Sequence, residues 1–393
     1  MVSRLFIFIL CIVSMGIAAI CAMPRVPAML RVPGTLHTRN TVDAPRVPRT
    51  PGEPYELIYP PYFGNRTNIP ADNPLTREGV YLGRLLFYEP RLSANNKVSC
   101  ENCHQQRLAF TDGKAFSRGI DSVLTTRSSM SLTNLLWVRN FFWDGRAPSL
   151  EAQMITPLSA PHEMGQSLER SADKLRKSRL YPALFRSAFG SDSITGDRII
   201  RAIAQFERTL ISANSRYDRY LRGQLQPDSS ESRGMALFMR SPSPERSMRG
   251  ANCEHCHGSP KFFMDQFHNN GLDSIPADRG REALTGLAAD RGRFRVPSLR
   301  NIALTAPYMH DGRFRTLDEV LDHYSEHIHN SPSLSPVLQN ASNRPAGSDN
   351  TAGGNGLQLT SREKQDLLSF LRMLTDSSFI TDSRFSNPYI HDL

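Results

Sequence analysis

Two short stretches carry side chains whose types and spacing could do chemistry: Cys100-Glu101-Asn102-Cys103-His104 and Cys253-Glu254-His255-Cys256-His257, which begin 153 residues apart. Four thiols in two pairs could hold zinc, cycle as redox dithiols or close disulfides. A redox dithiol would leave the His directly after each second Cys unexplained. That His is what covalent c-type haem requires, with two thioethers holding the porphyrin and the adjacent imidazole reaching the iron. On that reading the chain carries two haem c groups, and His104 and His257 are the proximal ligands of the first and the second.

The chain has six Cys, and the other two, Cys11 and Cys21, lie in MVSRLFIFILCIVSMGIAAICAMP. One Arg, an apolar run and then small residues make the layout of a secretory signal peptide. We expect residues 1–22 to be removed, leaving no stable membrane span and placing the protein in the periplasm. The alternative is an uncleaved anchor, because the run approaches spanning length. A lipid-modified Cys21 is disfavoured by the bulky Ile20 before it. After cleavage every remaining Cys belongs to a Cys-x-x-Cys-His.

Elements must position these motifs. A chain of 393 residues, 39% of them hydrophobic, has room for two domains, each with its own core. Its net charge is +9, from 47 Lys and Arg spread along the chain. That suits an acidic partner surface and needs no nucleic acid to explain it. Residues 23–74 are Pro-rich, with Arg-Val-Pro at 25, 31 and 46, and read as a tether or extended arm.

A helix with Val80, Leu82, Leu85, Leu86 and Phe87 as its apolar set precedes the first motif by a short loop. The stretch SSESRGMALFM, ending near Phe238, stands in the same place before the second. Each copy closes on another helix. In the first it carries Ile199, Ile200, Ile203, Phe206 and Leu210; in the second it is capped by Thr360 and Glu363 and carries Leu367, Leu368, Phe370, Leu371 and Leu374. No run alternates as a strand would. The expected fold is mainly α, with two cytochrome c-like domains (75–225 and 226–380), each bearing one covalently attached haem, and a C-terminal tail (381–393). Residues 330–356 form a polar loop without an assigned role.

The intervening stretches FFWDGRAPSLEAQMITPLSAPHEMG (141–165) and FRVPSLRNIALTAPYMHDGRFRTLDEVLDHY (294–324) resemble the bacterial di-haem cytochrome c peroxidase and MauG superfamily. The resemblance covers roughly residues 73–380. It implies hydrogen peroxide as substrate and divided labour between the haems. Glu163 matches the family's acid-base Glu, Gln153 its distal-pocket Gln, and Trp143 its inter-haem Trp. His310 resembles a residue near the domain interface, although Asp311-Gly312 beside it is also ordinary turn chemistry. Trp137, the other Trp, reads as packing.

Relatives that need reductive activation carry a distal His after the first motif, yet no His lies between His104 and His162 here. The first haem is therefore expected to be open in the ferric state, with Met130 the one alternative ligand and more simply a packing residue. At the second haem the family has a distal Met in peroxidases and Tyr in MauG. Tyr324 stands at that position, ahead of Met309, His323 and His327. The family's structural calcium would draw on the carbonyls of Thr305 and Pro307 and on Ser128, where relatives have Asn.

Three functions follow. The first is a peroxidase reducing hydrogen peroxide with electrons passed through the second haem from a small donor protein, a cytochrome c or a cupredoxin. The second is a MauG-like oxidase that uses a bis-ferryl state to modify residues of a protein partner. The third, a non-enzymatic electron carrier, leaves Glu163 and Gln153 without a purpose.

Overall fold

The computed structural model describes residues 52–339, 341–345 and 356–389. The expected signal segment, most of the Pro-rich arm, part of the 330–356 loop and the last four residues lie outside the described residues. Among the described residues the helices are α1 (Arg77–Phe87), α2 (Leu150–Ser159), α3 (Leu168–Arg176), α4 (Tyr181–Phe189), α5 (Gly196–Arg208), α6 (Arg216–Leu221), α7 (Ser229–Met239), α8 (Glu282–Thr285), α9 (Leu317–Glu326), α10 (Pro336–Gln339), α11 (Ser361–Met373) and α12 (Ser377–Thr381). One antiparallel pair, β1 (Phe267–His268) with β2 (Phe294–Arg295), was not expected. Two-residue strands are too short to show alternation.

Two buried cores form, one around each haem motif. In the first, Thr76 caps α1 by accepting from the Gly79 amide, and Leu82, Leu86 and Phe87 are buried completely against α5. Each such side chain contributes about 1.5–3 kcal/mol by leaving water. In the second, α7 packs on α11, whose Thr360 and Glu363 exchange the two bonds of a capping box. Both crossings depend on glycine: a Cβ on Gly83 would overlap the Ala202 carbonyl and press on Phe206, and one on Gly234 would overlap the Asp366 carbonyl and press on Phe370. The helix before each motif thus crosses the closing helix at backbone contact, in the same way twice.

Two stretches depart from the sequence reading. Residues 52–74, assigned to the arm, pack on the first core: Phe63 is buried, Asn68 donates to the carbonyls of Leu135 and Val138, and Trp137 lies between Tyr59 and Phe63 with its indole N–H on Gly64 O. Its aromatic residues have no helical period, so their burial leaves no trace in the pattern. Beyond Thr375, set apart in part as a tail, the chain crosses to the first core. Phe379 and Phe385 are buried there, Tyr88 Oη donates to Phe385 O (2.6 Å), and the hydroxyls of Tyr389 and Tyr181 lie 2.9 Å apart. In the 330–356 loop, Ser335 binds the His268 ring, and Val337 and Leu338 border the second cavity.

Candidate active site

Each Cys-x-x-Cys-His opens on a cavity, of about 650 Å³ at the first motif and about 230 Å³ at the second. Both pairs of thiols are free, so neither motif is a disulfide. A tight turn brings each His back over its first Cys, with His104 N on Cys100 O and His257 N on Cys253 O, both at 2.9 Å. His104 Nδ1 lies 2.8 Å from Phe110 O and His257 Nδ1 lies 3.1 Å from Pro297 O. A carbonyl only accepts, so Nδ1 carries the proton and Nε2 keeps its lone pair. Burial depresses both imidazoles, His257 to about 4, which holds them neutral. Two thiols and one neutral imidazole nitrogen at the wall of a cavity fit a covalently held haem. They do not fit zinc: among the described residues no group of three or more His, Cys, Asp and Glu is arranged to hold a metal ion.

The walls opposite the two motifs are built on one repeated frame with an offset of 167 residues. Asn134 and Asn301 adopt left-handed backbone before matching single turns, Leu135–Trp137 and Ile302–Leu304. The bridges Phe141 to Ala147 and Tyr308 to Phe314 close equivalent loops, with positive φ at Phe142 and Met309 and at Gly145 and Gly312. Ser149 and Thr316 then cap α2 and α9. In register, Leu150, Gln153, Met154 and Pro157 line the first cavity where Leu317, Val320, Leu321 and Tyr324 line the second. The frame puts a phenol into the second cavity and, at the equivalent place in the first, a proline, which has no atom that can bind iron. It also sets Gln153, the polar residue of the first wall, opposite Val320 in the second.

Tyr324 is partly buried at the edge of the second core, and desolvation pushes its phenol up to about 12. The Asn270 amide lies 3.2 Å from Tyr324 Oη and 3.4 Å from Met309 Sδ, so both of these side chains face the second cavity together. His323 Nε2 is bound to Asn270 O at 3.0 Å, and neither His323 nor His327 lines that cavity.

In the first cavity Glu163 is fixed by its backbone, its N–H on Ala160 O and its carbonyl accepting from Ile120 N. No hydrogen bond within the described residues holds the side chain of Glu163 or Gln153, and both line the cavity. Burial raises the Glu163 carboxyl above its ordinary value, against a smaller opposing pull from Arg146. The neighbouring His162 turns outward to Asp121 at 2.6 Å. Met130 borders both cavities, with Sδ 3.3 Å from Arg295 Nη2.

Trp143 lines both cavities and His310 lines the second, and the repeated frame makes them equivalents of each other. Their rings are 6.5 Å apart. Ser128 joins them: Trp143 Nε1 donates to Ser128 O (2.9 Å), Ser128 N to His310 O (2.8 Å) and Ser128 Oγ to Met309 O (3.0 Å). His310 stacks on Phe294 at 3.8 Å, and burial lowers its pKa. Thr305 and Pro307 line the second cavity, and the Thr305 hydroxyl donates to Ile302 O. Sequence reasoning missed three residues here: Pro157, Asn270 and Arg295.

Residues 77–226 match the family model described as di-haem cytochrome c peroxidase. The methylamine utilization protein MauG of Methylorubrum extorquens is 37% identical over 308 residues, spanning 78% of this chain and 80% of that protein. The chain belongs to the di-haem cytochrome c peroxidase and MauG family. Cytochrome c551 peroxidase of Nitrosomonas europaea is 35% identical, over 65% of this chain and 75% of its own. A solved MauG-like protein associated with microbial copper homeostasis is 38% identical and superposes with a TM-score of 0.73, over 85% of this chain and 99% of that one. As a member of the di-haem family the protein is an oxidoreductase that uses peroxide as acceptor, in a mainly helical fold with two haem c groups. Its two cavities, each with paired thiols and an oriented His, are where those groups fit.

Proposed function

We propose that the protein reduces hydrogen peroxide at the first haem directly from the fully ferric state, with electrons passed through the second haem from an external donor protein. One observation carries this reading: the repeated frame offers Tyr324 to the second haem and Pro157 to the first, so only the second is closed by its own chain. Haem held by Cys100, Cys103 and His104 in the first cavity would supply an iron that activates the peroxide. The chain supplies the proton movement. Gln153 orients the peroxide, and the Glu163 carboxylate takes the proton from one oxygen and delivers it to the other, which leaves as water. Two electrons and two further protons complete the reduction to two waters, with Trp143 and His310 lying on the path between the haems.

A second reading, oxidation of residues in a protein partner as in MauG, is favoured by Tyr324 itself. A phenolate donates charge to iron and favours its higher oxidation states, where a thioether favours the ferrous state. The likeness to a protein associated with copper homeostasis makes a cupredoxin the first donor or partner to test. Export to the periplasm fits both readings, and among the described residues no helix is long and apolar enough to cross a membrane. Calcium enters no step of this reading: the Ser128 hydroxyl donates to Met309 O, and with the carbonyls of Thr305 and Pro307 its oxygen would still need water to complete a ligand set.

The test is stopped-flow mixing of peroxide with the ferric protein, with and without a reduced small cytochrome or cupredoxin. Immediate reaction and turnover with donor support peroxidase activity. Immediate reaction with a stable near-infrared charge-resonance band and no turnover selects the second reading. A ferric protein inert until one haem is reduced overturns both.

A further inference from the structure

Arg295 is a buried cation with no carboxylate at ion-pair distance among the described residues. It is 5% exposed and sits on β2, paired with Phe267, with its N–H on Trp143 O at 2.7 Å. Its guanidinium makes two weak contacts, Nε to Phe142 O at 3.4 Å and Nη2 to Met130 Sδ at 3.3 Å. The two fully buried arginines are treated differently: Arg208 is paired with Glu151 at 2.8 Å and Arg300 with Asp218 at 2.6 Å. Asp265 acts on Arg295 only from further off: its Oδ2 accepts from Arg139 N and Asn140 Nδ2, and its buried Oδ1 has no hydrogen-bond partner among the described residues. Burial pulls the guanidinium down to about 10, so it remains charged at neutral pH.

A buried charge without a partner is too costly to be a packing accident. Its position names the partner. Arg295 lines both the first and the second cavity, beside Trp143. Arg118, Arg127 and Arg146 also border the first cavity, but Arg118 is exposed and Asp144 and Asp278 already neutralise the other two. Each haem brings two propionate carboxylates, and a guanidinium fork can serve two carboxylates at once.

We infer that Arg295 is a shared counter-ion, binding one propionate from each haem and raising the reduction potential of both. This rests on the two-haem reading, whose failure would show separately as fewer than two haems per chain. A fixed positive charge favours the iron state with one positive charge fewer, so Arg295 holds both haems more reducible than propionates left unpaired would. As a positioning residue it also ties the two porphyrins to the strand that carries the Trp143 contact.

The experiment is a redox titration of the purified two-haem protein and of R295Q and R295K, followed in the visible spectrum, with resonance Raman of the propionate bending bands. The expected result is a negative shift of both midpoint potentials in R295Q, largely restored in R295K, with the propionate bands of both haems moved in R295Q. Wild-type potentials in R295Q, or a shift at one haem alone, overturn the inference. If R295Q fails to retain its haems, R295K decides: it keeps the charge but loses the fork, and propionate bands identical to wild type at both haems would overturn the assignment.

Discussion

Replacing Glu163 by Gln tests the chemistry of the first cavity with little structural disturbance. The side chain has no hydrogen-bond partner within the described residues, so an isosteric amide breaks nothing that holds the fold. Two other carboxylates line that cavity. Asp144 is committed to Arg127 and Arg146, and Glu207 is buried with its pKa raised to about 8, hence largely protonated at neutral pH. Neither can replace Glu163 as proton acceptor. The loss should therefore be the full contribution of a positioned base, about 10²–10⁴-fold in the rate constant with peroxide, or about 3–5 kcal/mol of barrier. The pH profile supplies a second readout. Burial raises the Glu163 pKa, so in the parent protein the rate should fall as pH is lowered through a value above the ordinary carboxylate range, and E163Q should lose that limb. Stopped-flow traces with unchanged resting spectra would measure both. A loss under threefold, or an unaltered acidic limb in E163Q, would refute the assignment.

Further outcomes follow from other contacts. Trp143→Phe removes the indole N–H donated to Ser128 O and should leave the first haem's reaction with peroxide intact while slowing the response of the second; simultaneous responses in double-wavelength stopped flow would count against a relay. Pro157→Tyr places a phenol in the first cavity at the register of Tyr324 and should give a first haem that peroxide reaches poorly, with the opposite change, an opened second haem, in Tyr324→Phe. Arg300→Met strands the buried Asp218 carboxylate, which also accepts from Tyr62 and Ser215, and should destabilise the protein by about 3–5 kcal/mol in a denaturant melt.

Much of this architecture is legible in the sequence for a physical reason. Helix faces repeat with a fixed period, and thioether attachment demands a fixed spacing, so the helices around each motif, the Thr360–Glu363 cap and both haem sites are readable in one dimension. What is not readable has no period. Tyr59, Phe63, Phe379 and Phe385 reach the first core from irregular chain or from helical pieces too short to show a period. Phe142 and Met309 take positive φ without being glycine, which hides the repeated loops that place Trp143 opposite His310. Pro157 looks like a helix interruption until its register with Tyr324 is seen, and an arginine such as Arg295 becomes informative only once its surroundings show that no carboxylate meets it.

If one haem is open and the other closed by the chain, a titration of the fully ferric protein with cyanide will distinguish them. One cyanide should bind per two haems, at the haem of Cys100, Cys103 and His104, with weakened or abolished binding in Pro157→Tyr. No cyanide bound by the parent protein, or two, would contradict it.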